Sequence, residues 1–269
     1  MFPVVQFFGL QIPTFFFTLS LISVLILVLI RYRSRRWYGQ FSWLPEDFIH
    51  IVWSLTLVIL VSGFLGGRLG HVLIEEPSFY LSQPQRIFAI RSGGFVFFGG
   101  FILGLVCVCA YMFWKKLEHP EVYFDFFTPL ISLSYLLGRW GCFLNGCCYG
   151  KVCDWPWALS IPDAQGLLYP RHPTQLYSIG WELILFLFLW IWQRPRVFYL
   201  FKPESVRLKK MGNLFIVWLF FHSLGRFIIE FWRDDFRGPE WILTPSGWIS
   251  LGLMTISLFF FWRRSKMSL

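Results

Sequence analysis

The sequence predicts an all-α, polytopic integral membrane protein of about seven transmembrane helices, and three observations carry that prediction. Of its 269 residues 56% are hydrophobic and only 14% charged, which leaves too few polar side chains to cover a soluble domain of this size. Apolar stretches recur at the roughly 20-residue length that a helix needs to cross hydrocarbon. Lys and Arg gather in alternate connections between those stretches, the asymmetry that orients membrane proteins. The 33 Phe and 15 Trp fit lipid as the solvent, because aromatic rings pack against acyl chains and Trp anchors at the headgroup level.

Seven segments approach the required length: about 12–30, 49–69, 94–114, 122–138, 175–193, 212–231 and 243–262. The first is too long for a signal-peptide core. It is followed by Arg31, Arg33, Arg35 and Arg36 instead of a small-residue cleavage site, so it reads as a retained helix. The fourth is short and holds Asp125 and Pro129. An outer amino terminus and a cytoplasmic carboxyl terminus put Arg31 to Arg36, Lys115, Lys116, the Arg194 to Lys210 loop, Arg263, Arg264 and Lys266 in the cytoplasm, as the positive-inside rule requires. The formal charge of +9 is scattered between apolar segments and forms no single stripe, which excludes nucleic acid and leaves the lipid bilayer as partner.

The remaining cations, Arg68, Arg86, Arg91, Arg139, Lys151, Arg171, Arg226, Arg233 and Arg237, fall on the outer side. An arginine at membrane depth is costly unless it is paired or lines an aqueous cavity. Arg139 in Leu136-Leu137-Gly138-Arg139-Trp140-Gly141 and Arg226 in Leu224-Gly225-Arg226-Phe227 have apolar flanks, which makes them functional candidates. Helix-end snorkelling competes most strongly for Arg68, Arg86 and Arg237. Arg139 opens the most unusual stretch of the chain, from Gly138 to Lys151. Its glycines at 138, 141, 146 and 150 are expected to interrupt the helix at the membrane surface and to admit a ligand close to the backbone. With an arginine beside exposed amides, this is a candidate phosphate site, because the guanidinium fork donates two charge-assisted hydrogen bonds.

Four more segments share the outer side: Gly66-Gly67-Arg68-Leu69-Gly70-His71, Gly93-Gly94-Phe95-Val96-Phe97-Phe98-Gly99-Gly100, Arg171-His172-Pro173-Thr174-Gln175-Leu176-Tyr177, and Gly225-Arg226-Phe227-Ile228-Ile229-Glu230-Phe231-Trp232-Arg233. In order, spacing and placement the five segments resemble the prolipoprotein diacylglyceryl transferases of bacterial inner membranes, over about two thirds of the chain from Gly63 to Trp248. The resemblance implies a seven-helix inner-membrane enzyme with a periplasmic amino terminus. It further implies a single transmembrane domain in which residues 139–174 form a periplasmic cysteine-containing loop. The implied reaction moves the diacylglyceryl group of phosphatidylglycerol onto the thiol of a lipobox cysteine in a prolipoprotein. Glycerol phosphate leaves, and no cofactor or metal is called for.

Such a reaction needs cations for the departing phosphate and an acceptor for the thiol proton. The family's essential arginines fall on Arg139 and Arg226. Glu230 follows Arg226 by one turn, where an i,i+4 contact would orient the guanidinium. Asn145, Gly150, His172, Gln175 and Tyr177 match as well, and Arg68, Gly99, Gly100, Gly138, Arg171 and Arg233 complete the expected substrate-binding set. The chain departs from the family where Phe98 replaces a histidine, where Cys142 and Cys147 replace an Asn and a Glu, and where Pro13-Thr14-Phe15-Phe16-Phe17 replaces a Trp-Tyr-Gly stretch. A phenyl ring carries no proton, so His71, His172 and His222 become the candidate bases, each against a structural hydrogen-bonding role.

Cys142, Cys147, Cys148 and Cys153 fall within twelve residues of a loop expected to face the oxidising side, where a disulfide is one outcome. The adjacent pair would not readily bond to each other. Zinc with His172 is a second outcome, against which the spacing of four residues between cysteines argues. Transient acceptance of lipid by Cys147 or Cys148 is a third. Cys107 and Cys109 read as packing residues. Three functional alternatives stand beside the transferase: a paralogue with another acceptor, a phospholipid-binding protein without the chemistry, and a membrane thiol-disulfide protein.

Overall fold

A computed structural model describes residues 4–7, 10–41, 44–89, 94–163, 166–193, 211–235 and 242–267. Arg91, Gly93, Arg237 and the Arg194 to Lys210 connection lie outside the described residues.

The chain is mostly helical. A short antiparallel hairpin, β1 (Val4–Phe7) with β2 (Leu10–Pro13), precedes α1 (Thr14–Gln40). Then come α2 (Phe48–Gly70), continued by a single π-helical turn at His71–Glu75, and α3 (Pro77–Ser82). The long elements α4 (Phe97–Trp114) and α5 (Pro120–Asn145) follow, and a second hairpin, β3 (Leu159–Pro162) with β4 (Leu168–Arg171), leads to α6 (Thr174–Trp192). The last helices are α7 (Asn213–Glu230) and α8 (Pro245–Met267). Among the described residues, six helices are long and apolar enough to cross a membrane: α1, α2 with its π turn, α4, α6, α7 and α8. Their outward surfaces carry Val24, Leu57, Ile184 and Phe259 exposed, a pattern that water would not tolerate and lipid does.

Three boundaries differ from expectation, each for a local reason. Residues 12–13 pair in β2, so the first helix begins at Thr14 and then runs through the basic stretch Arg31 to Arg36, because arginine is itself a good helix former. The helix expected to end at 138 continues to Asn145 and stops where Gly146 takes a positive φ of 78°. Gly138 and Gly141 therefore lie inside α5 and do not interrupt it, and a β-carbon on Gly141 would press on the Thr18 hydroxyl. The 26-residue α5, the expected fourth span, carries Glu121, Asp125, Pro129 and Arg139. That polar load leaves it outside the set of strongly apolar helices.

The chain forms two compact units: Met1–Ile30 with Glu121–Phe236 and Ser250–Leu269, and Arg31–Pro120 with Arg237–Ile249. In the second unit, α2 and α4 cross at glycines. A β-carbon on Gly66 would lie 2.5 Å from the Gly99 carbonyl oxygen, and one on Gly100 would lie 2.6 Å from that of Gly63. Small residues let the two backbones touch, which is how helices associate where lipid removes the hydrophobic drive.

In the first unit, Phe126, Leu189 and Trp218 fill the interior between α5, α6 and α7. Gly212 precedes α7 with φ of 85°, and Asp125 from α5 supplies the missing cap: its carboxylate accepts the Gly212 amide at 2.7 Å and the Phe215 amide at 3.2 Å. The Asp125 carbonyl accepts Gln193 Nε2 at 2.7 Å, so α6 is tied to the same point. Asp125→Ala should lower stability by about 1–3 kcal/mol, the cost of orphaned buried amides, and Asp125→Asn by less, as read from thermal unfolding in detergent.

Candidate functional site

The site in the first unit is built around one buried carboxylate. Glu182 of α6 accepts Ser132 Oγ of α5 at 2.8 Å and Trp218 Nε1 of α7 at 2.8 Å on one oxygen, and its other oxygen lies 2.9 Å from His222 Nδ1. His222 stacks on Trp218 with ring centroids 4.8 Å apart and meets the edge of Tyr135 at 4.5 Å. Tyr135 in turn lies under the Arg139 guanidinium, 4.8 Å from carbon to ring centre. His222, a candidate base, is thus held in the interior by Glu182 and linked through one ring to Arg139.

Arg139, Arg226 and Arg233 are buried at 7%, 4% and 7% exposure, and each acts electrostatically on the other two. Three buried guanidiniums repel, so two carboxylates are placed among them. Glu230 pairs with Arg226 one turn earlier on α7, as the spacing predicts. Asp235 grips Arg233 from both oxygens, at 2.9 and 2.7 Å. No carboxylate among the described residues forms an ion pair with Arg139. The cluster therefore keeps a net positive charge directed by Arg139, which suits a phosphate ester. Gly225 leaves room for the Trp181 indole, whose Nε1 donates to the Phe221 carbonyl at 2.9 Å and draws α6 against α7 beside Arg226.

The segment after α5 folds back over this cluster. The Gly150 amide donates to the His172 carbonyl at 3.0 Å, and a β-carbon there would strike the His172 and Trp232 carbonyls, so only glycine fits. Gly150 also bridges Arg233 antiparallel, and Lys151 N donates to Trp232 O at 2.8 Å. Arg171 donates to the Gly150 carbonyl at 3.2 Å and to Asp234 at 2.6 Å, with its guanidinium over Tyr149. Gln175 Nε2 and Thr174 Oγ1 donate to the carbonyls of Cys147 and Cys148, each at 2.7 Å. His172 Nδ1 lies 3.0 Å from the Tyr177 hydroxyl, which also accepts Trp157 Nε1 at 2.8 Å. Asn145 closes α5 at the turn. A β-carbon on Gly138 would meet nothing within 4 Å, so packing does not explain that glycine.

The other expected residues belong to the second unit. Arg68 donates to the carbonyls of Arg86 at 2.7 Å, Ile87 at 2.9 Å and Gly94 at 3.1 Å, which pins the segment before α4. His71 lies 3.2 Å from Tyr80 Oη and 3.7 Å from Glu75. Gly99 and Gly100 form the α2 contact described above, and Phe98 is buried beside them.

Several participants escape sequence reasoning. Glu182 sits alone in an apolar run, Trp181-Glu182-Leu183-Ile184-Leu185, a signal equal to that of Arg226. Asp234 and Asp235 adjoin Arg233, and their acidic pairing was the available clue. Of the four loop cysteines, Cys142, Cys147 and Cys148 converge with their sulfurs within 4.8 Å of one another, and Cys153 and His172 stay outside that group. None of the six cysteines is joined in a disulfide. Burial pushes the Asp235 carboxyl up to about 6, against the pull of Arg233.

The chain matches the family model described as prolipoprotein diacylglyceryl transferase over residues 3–263. It is similar to proteins named phosphatidylglycerol–prolipoprotein diacylglyceryl transferase. One from Cupriavidus metallidurans is 34% identical over 80% of this chain and 74% of the relative. One from Dechloromonas aromatica is 37% identical over 72% and 71%. One from Bordetella parapertussis is 39% identical over 70% and 71%.

As the pH falls through about 6, Asp235 takes up a proton and the arginine cluster gains a net positive charge. A soluble phosphodiester, whose own charge is constant in that range, should bind about fivefold more tightly at pH 5 than at pH 7, on the order of 1 kcal/mol. Asp235→Asn should bind tightly at both pH values, as read by calorimetric titration.

Proposed function

The chain belongs to the prolipoprotein diacylglyceryl transferase family, and we propose that its arginine cluster is the phosphate clamp of that reaction. The protein is a membrane-embedded transferase that moves a diacylglyceryl group from phosphatidylglycerol to a prolipoprotein. The acceptor is the thiol of a lipobox cysteine. The thiolate sulfur attacks the diacylglyceryl carbon that bears the phosphate ester, a carbon–sulfur bond forms, the carbon–oxygen bond breaks, and glycerol phosphate departs with the electron pair.

The observation that supports this reading is three mutually repelling buried guanidiniums that, among the described residues, meet two carboxylates, Glu230 and Asp235. Charge developing on the leaving phosphate oxygen is stabilised by donors already in place, which is where preorganised sites gain most. Arg139 holds the phosphate, and Arg226, oriented by Glu230, completes the clamp with Arg233. His222, oriented by Glu182 in the manner of a carboxylate-held imidazole, takes up the thiol proton. Arg171, His172, Gln175, Tyr177, Asn145 and Gly150 shape the outer wall. Arg68, Gly99 and Gly100 support lipid binding from the α2–α4 pair, with His71 beside them.

In this reading α5 is a seventh span, and the whole chain is one transmembrane domain in the bacterial inner membrane. The amino terminus and the 139–174 segment are periplasmic, and the carboxyl terminus is cytoplasmic, as the basic residues of Arg31 to Arg36 and of Arg263 to Lys266 favour.

Purified protein incubated with labelled phosphatidylglycerol and a lipobox peptide should yield a thioether-linked diacylglyceryl peptide. Arg139→Ala should reduce the rate by about 10²–10³-fold, as expected for loss of one transition-state donor. Full activity of that variant would overturn the clamp.

A further inference from the structure

We propose that Cys142, Cys147 and Cys148 form a trigonal thiolate site for one thiophilic cation, zinc or cuprous, beside the arginine cluster. This goes beyond the transferase reading, which needs no metal. The three sulfurs lie within 4.8 Å of one another. Three sulfurs around one ion at a bond length of about 2.3 Å stand about 4 Å apart, so closure asks for movements below about 1 Å.

The backbone is shaped to bring them together. Cys142 lies in the last turn of α5, Gly146 reverses the chain with φ of 78°, and Cys148 itself takes φ of 66°. A non-glycine residue in that region costs on the order of 1 kcal/mol and persists where its surroundings hold it. Gln175 and Thr174, both buried, provide that hold by gripping the Cys147 and Cys148 carbonyls, so the main chain is pinned and both thiols are turned toward Cys142.

The electrostatics also favour a metal thiolate. Three thiolates with a divalent ion carry one net negative charge, and with a monovalent ion two. Arg139 and Arg233 both act on Cys148, and Arg139 forms no carboxylate ion pair among the described residues, so positive charge stands beside the sulfurs. Soft thiolate ligands select zinc and cuprous ions over magnesium or calcium. The metal binds by displacing the thiol protons, and no oxidant or reductant is consumed.

Protein purified in detergent under anaerobic conditions should develop a sulfur-to-metal charge-transfer band on titration with cadmium ion, saturating at one ion per chain. Zinc and cuprous ions added in separate arms should abolish that band, and the arm that competes at the lower concentration identifies the native ion. Cys142→Ser, Cys147→Ser and Cys148→Ser should each weaken binding at least about tenfold, and Cys153→Ser should leave it unchanged. Should the serine variants fail to fold, the wild type still decides the matter. Zinc or cuprous ion must then protect these three thiols, and not Cys153, from maleimide labelling read by peptide mass spectrometry. Absence of the band, equal loss in Cys153→Ser, or a mass two hydrogens lighter that resolves to a Cys142 disulfide would overturn the site.

Discussion

The first structural unit depends on a carboxylate that lipid-facing helices would otherwise exclude. Glu182 is 1% exposed, and an ion at that depth is tolerated only if every lone pair is engaged. Ser132, Trp218 and His222 engage it from two other helices. Breaking such an arrangement by removing one partner typically costs 3–5 kcal/mol. The consequence is a register constraint: α5, α6 and α7 cannot slide without stranding a charge. Arg139 lies two turns beyond Ser132 and Arg226 one turn beyond His222, so the positions of both arginines inherit this constraint.

The cluster above it obeys the opposite logic. Glu182 meets three donors, whereas the three arginines share two carboxylates among the described residues. Ring faces help, since Tyr135 lies under Arg139 and Tyr149 under Arg171, and aromatic faces stabilise a cation without neutralising it. Burial raises the energy of each guanidinium and so raises the gain when an anion arrives. In a medium of low dielectric three such arginines would attract an anion far more strongly than they would on a wet surface.

Much of this was legible in the sequence, and unevenly so. The long apolar helices stood out because a run of about twenty nonpolar residues admits few other readings. The Arg226–Glu230 pair was legible because its partners are separated by one helical turn. The Glu182–His222 and Arg139–Tyr135 contacts were less so: the first joins residues forty positions apart, and the second trades a charge for a ring, which no charge pattern reveals. Arg68 carries a structural load that its glycine-rich motif does not announce, because its donors reach the carbonyls of Arg86, Ile87 and Gly94, far along the chain. The end of α5 was misjudged because Gly138 and Gly141 looked like breakers, whereas the positive φ falls at Gly146.

The way Gln175 and Thr174 grip the turn after α5 bears on how such a chain can change over time. They read peptide carbonyls and ignore side chains, so the shape of the turn is insured by residues outside it. Part of the architectural duty at 147 and 148 is thereby carried by residues outside the turn, which widens the range of side chains the turn can bear. A turn held by its main chain is a place where an old enzyme can acquire a new element without first losing its fold.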